Sequence, residues 1–283
     1  MIQGLDHVVI AVRELAAGVE AYAALLGRAP SWRAAPAGGV ETALFGLANV
    51  AVELIAPAGA GAVGDRLRGQ LDARGEGLAS LAFAVDDAER AARRLERVGL
   101  GPEPVTAGES VERTGGGRRR WRRVRASTEA THGVRVFLVE PLTPVPPSPP
   151  TGDAAAAVSG LDHVVIRTPD PERAAALYGA RLGLDLRLDR SSPDWGARLQ
   201  FFRCGDLIVE LAHDLGSGPS AGPDRLWGLS WRAPDAEAAR ARLARAGLDV
   251  SEVRAGRRPG TRVFTVRDKT CGVPTLVLEA ASR

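Results

Sequence analysis

Apolar and polar residues alternate over residues 5–12, the period of a half-buried strand. Residues 15–26 follow without proline, rich in Ala and Leu, and predict a helix that Gly27 ends. Strands are predicted at 40–46 and 49–55, closed by Pro57. A new cycle opens at Gly77, with a strand over 78–85, a helix over 87–98 stopped by Gly99, and a late strand over 133–139 before Pro141. The second half repeats the order. It has a strand at 161–167, a helix at 170–182 with Pro171 in its first turn, and strands at 198–204 and 206–212. Residues 226–232, 235–246 (helical), 262–267 and 274–279 make a fourth cycle.

The chain also repeats itself literally. GLDHVVI occurs at 4–10 and again at 160–166, and Val52-Glu53-Leu54 returns as Val209-Glu210-Leu211. Asp87-Ala88-Glu89 returns as Asp235-Ala236-Glu237, each followed by Arg-Leu and Gly-Leu pairs. Between the halves, six of the ten residues from 141 to 150 are proline, which predicts an extended, semi-rigid tether. The expected organisation is therefore two domains, 1–142 and 160–283, joined by a Pro/Ala-rich linker over 143–159.

The strand–helix–strands unit, used four times, resembles the βαβββ module of the vicinal oxygen chelate superfamily, which holds glyoxalases, bleomycin-resistance proteins and extradiol dioxygenases. The resemblance is carried by LDHVVI at 5–10 and 161–166, by the start at Gly77–Phe83 with its echo at Leu226–Trp231, and by the closing strands AVELIAP, VRVFLVEP, LIVELAH and PTLVLEA. It implies an α+β fold in which four modules form two curved mixed sheets, each a cup with metal ligands on the first and last strands of its modules.

Strand alternation puts His7, Val9 and Ala11 on one face, and Glu53 with Ala51 and Ile55. If first and last strands are neighbours, as the resemblance implies, His7 meets Glu53, and His163 meets Glu210. Imidazole and carboxylate suit Zn, Ni, Mn or Fe, so these residues are the candidate ligands of a divalent metal, with Glu53 or Glu210 as ligand or catalytic base. Ser80 and Gly228 stand where the other modules would carry His, and Phe137 and Leu276 where they would carry Glu. Pairing modules 1 and 3, or swapping modules in a homodimer, would join all four residues in one site. The alternative is a satisfied polar His–Glu pair within the core.

Further candidates line a substrate pocket: Trp195 and Arg198 by stacking and pairing, Trp227 by stacking, His213 as a proton shuttle, and the basic loop Arg257-Arg258-Pro259-Gly260 as an anion holder. If one half catalyses and the other is a structural copy, Trp195 and that loop make the second half the expected active one. The run from Gly115 to Arg125, arginines around Trp121, has the composition of a nucleic-acid patch, but its arginines also suit solvent or acidic partners. Nucleic acid is not the expected partner.

Net charge is +3, which only weakly favours anionic small ligands. No apolar run is long enough to span a bilayer, and two cysteines are too few for a disulfide scaffold, so a cytoplasmic protein is expected. P-loop, GxGxxG, GxSxG and HExxH motifs are absent. The function expected is a metal-dependent lyase or isomerase acting on a small substrate with vicinal oxygens. The alternative is a metal-free, drug-sequestering binding protein, and extradiol dioxygenase chemistry fits less well because Gly228 and Leu276 cannot bind iron.

Overall fold

The computed structural model describes residues 2–281. The first half runs β1 (Ile2–Ala11), α1 (Leu15–Leu26), β2 (Trp32–Arg33), β3 (Val40–Gly46), β4 (Ala51–Pro57), α2 (Ala62–Arg74), β5 (Gly77–Val85), α3 (Ala88–Arg97), β6 (Thr106–Val111), β7 (Arg118–Arg125) and β8 (Val136–Pro141). The second runs β9 (Gly160–Arg167), α4 (Pro171–Ala175) with a π-helical extension over Ala176–Arg181, β10 (Asp185–Ser192), β11 (Ala197–Cys204), β12 (Leu207–Asp214), β13 (Arg225–Arg232), α5 (Ala236–Arg245), β14 (Arg254–Ala255), β15 (Arg262–Val266) and β16 (Thr275–Glu279).

Two eight-stranded mixed sheets result, one of them curled into a half-barrel, in an α+β two-domain arrangement. Their orders, β2-β3-β4-β1-β5-β8-β7-β6 and β10-β11-β12-β9-β13-β16-β15-β14, are the same plan twice. Modules 1 and 2 therefore pair through the antiparallel β1–β5 contact, and modules 3 and 4 through β9–β13. The helices follow their local signals. Asp87, Asp170 and Asp235 each accept the backbone N–H three residues on at 2.8–3.0 Å, as N-caps do. Glu140 and Glu279, at the ends of the closing strands, accept from the first N–H of α3 and α5.

Val8, Ile10 and Val12 of β1, Val164 and Ile166 of β9, and Tyr22, Leu25 and Leu26 of α1 all belong to one continuous core. The sheets thus turn their apolar faces toward each other around the helices, and the faces carrying His7 and His163 point away. Helix α2 lies in a stretch where the hydrophobic pattern predicts nothing. Only Leu67 and Leu71 mark its buried stripe, and they pack on Ala11 and Ile55 across one end of the first sheet's outer face. Among the described residues the second half has no helix at the equivalent place, between β12 and β13.

The proline-rich segment is pinned rather than free. Ser148 N–H donates to Gly46 O at 2.9 Å and Thr151 N–H to Gly27 O at 3.0 Å. Arg28 Nε donates to Val158 O at 2.7 Å. A Cβ on Gly46 would lie 2.2 Å from Pro146 O, a backbone atom that cannot swing aside. Gly46→Ala is therefore expected to cost about 1–3 kcal/mol, as overpacking does, and to speed protease cleavage within 142–159. Unchanged melting and cleavage would contradict the pinning.

A second tie joins the halves. Asp224 N–H donates to His132 O at 2.7 Å. The Asp224 side chain is fully buried; it accepts from Thr168 Oγ1 at 2.7 Å and from Arg173 at 3.0 Å, and its other oxygen has no partner. Burial raises this carboxyl above its ordinary value, against the pull of Thr168, Arg173 and His132. A carboxyl raised on folding contributes stability below its unfolded value of about 3.9 and loses it as pH rises through the folded value. Asp224→Asn keeps the accepting oxygen without the charge. It is expected to melt above wild type at neutral pH, with the gap closing as pH falls toward about 4. Parallel melting curves across that range would show that burial of this charge is not destabilising.

Candidate functional site

On the outer face of the first sheet, β1 lies parallel to β4 with Val9 beside Glu53. His7 Nε2 then stands 3.5 Å from Glu53 Oε2. The second half repeats this, with His163 Nε2 3.4 Å from Glu210 Oε2. The sheets keep the two pairs apart, on faces turned away from each other. The four-residue site that a pairing of modules 1 and 3 would build within one chain is therefore not formed.

Asp6 and Asp162 complete each pair. In both halves the strand ladder skips the Asp: Leu5 and His7 pair with Phe83 and Ala82, and Leu161 and His163 with Trp231 and Ser230. This bulge turns neighbouring Asp and His side chains to the same side. His7 Nδ1–H donates to Asp6 Oδ1 at 2.6 Å, and His163 Nδ1–H to Asp162 Oδ2 at 2.8 Å. A carboxylate only accepts, so Nδ1 carries the proton and Nε2 faces Glu as an acceptor or ligand when the ring is neutral. An Asp inside an otherwise apolar strand, where its β-propensity is poor, was the available signal for these two residues.

The electrostatics follow from burial and these partners. Burial works to lower the His7 imidazole, but the bond to Asp6 and the charges of Glu53 and Asp6 outweigh it, and the ring is raised from its ordinary value. Glu210 is raised by burial, although His163 and Arg257 pull it down. For Asp162, burial pushes up, but His163 and Arg232 hold it below the usual range.

The walls differ between the halves. In the first, Leu44 lies across from Glu53 and Trp32 across from Leu44. On the other side, Arg125 faces Phe137 and Arg123 faces Val139 across β7–β8, so Arg119, Trp121, Arg123 and Arg125 share the face of Glu53. Arg119 lies over both Trp32 and Trp121, 5.8 and 5.9 Å from the ring centroids, and Arg123 over Phe137 at 5.2 Å. Arg118 and Arg120, on the opposite face, pair with Glu109, and Arg122 with Glu89. The arginine run is thus split by strand alternation between the face of Glu53 and the opposite face, where Glu109 and Glu89 pair with it, and is not a continuous stripe for nucleic acid. Read as a flexible turn with a basic patch, it concealed the strand that makes these arginines part of the site.

In the second half, Phe201 lies across from Glu210, and Leu188 across from Phe201. Trp195 sits at the rim under Arg190 and Arg257, 4.9 and 4.4 Å from its ring centroid. Trp227 stacks under Arg167 at 4.4 Å. Arg258 is exposed in the turn that Thr261 closes by donating to its carbonyl. Two expected pocket residues face the other way. Arg198 lies on the helix-packed side, bound to Asp189 and to Glu172 of α4. His213, three positions beyond Glu210, is buried on that same side, with Nδ1 3.1 Å from Thr168 O. Odd spacing along a strand reverses the face, and the core claimed both. Phe202 and Trp231 are likewise core residues.

For a metal, each site supplies donors of the right kind but few in number. Imidazole and carboxylate converge, and the Asp bond to Nδ1 is the outer support that metal-ligating histidines receive. A catalytic ion takes about three protein ligands. The remaining positions hold Ser80, Phe137, Gly228 and Leu276, and the strand register confirms their correspondence: Ala82 pairs with Phe137, and Ser230 with Leu276, as Val9 and Val165 do with the glutamates. Among the described residues no three His, Cys, Asp or Glu side chains are grouped to hold an ion. The thiols offer nothing: burial pushes Cys204 and Cys271 up to about 12.

No helix among the described residues is long and apolar enough to cross a membrane. A family model described as a glyoxalase-like domain matches residues 5–183. A second, for the glyoxalase/bleomycin resistance protein/dioxygenase superfamily, matches residues 162–265. An ethylmalonyl-CoA/methylmalonyl-CoA epimerase of Cereibacter sphaeroides is 35% identical over 100 residues, which cover 33% of this chain and 75% of the epimerase. A mutant 4-hydroxymandelate synthase from Streptomyces coelicolor superposes with a TM-score of 0.71 at 15% identity, over 100% of this chain and 95% of that one. The 2,3-dioxygenase LapB from Pseudomonas sp. KL28 gives 0.65 at 18% identity, over 99% and 93%. The Mn(II)-bound glyoxalase from Novosphingobium aromaticivorans gives 0.64 at 15%, over 99% and 83%. At these identities the structures establish a shared fold. With the motif, the doubled sheet order and the matched models in agreement, the chain belongs to the glyoxalase-like proteins of the vicinal oxygen chelate superfamily.

Proposed function

We propose that this protein is an isomerase-type enzyme that moves the proton of an acidic C–H next to a carbonyl group, in a small organic acid or its thioester, at the His7–Glu53 site. The observation that carries this reading is the Asp–His–Glu arrangement beside an arginine-bearing wall. Glu53 or neutral His7 takes the proton, Asp6 holds the ring in the required tautomer, and the cationic wall balances the charge that develops on the substrate oxygen. The relationship to a methylmalonyl-CoA epimerase supports the same chemistry. The choice of the first half over the second rests on its wall: Arg119 and Arg123 stand on a strand, and the second half has Val263 at the position of Arg123 and Leu188 at that of Trp32.

A divalent ion such as Zn, Ni, Mn or Fe would be held by His7 Nε2 and Glu53, and when bound it would polarise the substrate's oxygens. With two protein donors it would bind weakly and would be completed by water and the substrate.

The test is loss of the C-2 proton of methylmalonyl-CoA in deuterated water, followed by NMR with and without added Mn(II), alongside metal analysis of protein purified without chelator. Exchange above the uncatalysed rate is expected. No exchange under any metal condition would overturn the enzyme reading and favour the second one, a metal-free binder of small molecules. That reading is itself supported by Phe137, Gly228 and Leu276 at positions where the family carries ligands.

A further inference from the structure

Three buried side-chain donors on the first half's outer face have no hydrogen-bond partner: Trp32 Nε1, Arg119 Nε and Ser110 Oγ. They are neighbours. Ser110 stands directly across from Arg119 in the β6–β7 register, so both point to the same face. Arg119 lies over Trp32. Trp32 is only 7% exposed and is fixed by Leu44, Ala34 and Ala51, with Val145 of the proline-rich segment packed against them. Arg119 makes no ion pair or side-chain hydrogen bond among the described residues; its contacts are the two indoles.

Buried polar groups are normally paired, and each one left without a partner costs free energy. Three such donors on one face, joined by the Ser110–Arg119 pairing and the Arg119–Trp32 contact and one of them cationic, suit a negative acceptor. From this arrangement we infer that Arg119, Trp32 and Ser110 form a carboxylate-binding subsite that holds the acid group of the substrate opposite His7–Glu53. This rests on the proposed catalytic use of that pair and names the substrate class it serves: a monoanionic organic acid with a carbonyl beside its reactive carbon.

The charge count favours a single negative charge. Asp6 and Glu53 both act electrostatically on Arg119, and Arg119 acts on His7. A dianion such as phosphate would add two charges beside two existing carboxylates, whereas a carboxylate adds one and matches the planar guanidinium. Both indoles lie within cation–π distance of the Arg119 guanidinium. The second half is built differently here. Leu188 takes the place of Trp32, and its arginine, Arg257, comes from the exposed turn between β14 and β15 and lies over Trp195 at the rim. The two halves, alike in their His–Glu pairs, therefore take different ligands.

The experiment follows the indole N–H signals of the full chain by ¹H–¹⁵N NMR, with the Trp32 signal assigned by Trp32→Phe. Monomethyl malonate is the probe, dimethyl malonate its neutral counterpart and inorganic phosphate the dianionic control. Monomethyl malonate is expected to move the Trp32 signal saturably. Arg119→Met is expected to weaken that binding about tenfold or more, the value of one charged hydrogen bond, and Arg119→Lys to restore part of it. The neutral diester should leave the signal in place. Folding of each variant is read from the same spectra. A Trp32 signal unmoved by monomethyl malonate, equal affinity in Arg119→Met, or equal binding of phosphate would overturn the inference. Because no turnover is needed, binding that survives in Glu53→Gln while hydrogen exchange is absent in wild type would sink the enzyme reading alone. Exchange without a response at Trp32 would sink the subsite alone.

Discussion

Glu53→Gln is expected to slow hydrogen exchange at C-2 of methylmalonyl-CoA by about 10²–10⁴-fold, the range for removal of a positioned acid–base group, while Glu210→Gln leaves the rate close to wild type. The substitution is isosteric, so Leu44 and the β3–β4 ladder keep their packing, and what disappears is the negative charge 3.5 Å from His7 Nε2. The asymmetry between the glutamates is the informative part. Both belong to equivalent pairs, but Glu210 has the lower side-chain exposure, 12% against 24%, and burial raises its carboxyl. Its strand neighbours are Phe201 and Leu188, and Arg257, which acts on it, comes from the exposed turn between β14 and β15 and not from a strand. The converse result, with Glu210→Gln inactive and Glu53→Gln unaffected, would move the reaction to the second half and make Trp195 and Arg257 its wall. Comparable losses in both would mean that both halves turn over.

Arg242→Ala is expected to lower folding stability by about 3 kcal/mol, a figure set by the loss of charged hydrogen bonds worth about 1.5–3 kcal/mol each and partial rehydration of their acceptors. From α5 the guanidinium donates to Ala156 O at 3.0 Å, to Leu25 O at 2.8 Å and to Ala24 O. Two of these carbonyls lie in the last turn of α1, where helix carbonyls lack intrahelical partners and a cation complements the dipole. The third belongs to the linker. One side chain thus ties together the first half, the linker and the second half. Arg242→Lys should recover only part of the loss, since an ammonium cannot reach three carbonyls in the geometry of a planar fork. Denaturant unfolding with a single transition would measure the change. A loss below about 0.5 kcal/mol, typical of an unconstrained surface site, would show that the halves are held by the apolar core alone.

Much of this fold is legible in the sequence because its causes are local and repeated. LDHVVI, the N-cap aspartates, the glycine stops and the closing VEL strands act over a few residues, and each occurs again in the second half, so the repeated strand–helix–strands order follows directly, and the α+β class follows from the family resemblance which that order carries. The meeting of His7 with Glu53 and of His163 with Glu210 is legible from alternation within each strand beyond the Asp, together with the family resemblance, which implies that first and last strands of a module pair. Helix α2 escaped because its buried stripe is two leucines. Strands β6 and β7 escaped because glycines and arginines carry little hydrophobic signal.

What the sequence by itself determined is which side chains share a strand face, since that depends only on a period of two. What only the tertiary structure decided is which face looks inward. Arg198 and His213 were given to the helix-packed side and Arg119 to the site, although all three sit on strands with polar neighbours. The skipped Asp6 and Asp162 each reverse the alternation by one residue, and a reversal of that kind is set by long-range pairing with β5 and β13. The pairing of modules 1 with 2 and 3 with 4, and with it the separation of the two His–Glu pairs, was decided in the same way, by burial of the two apolar sheet faces in one core.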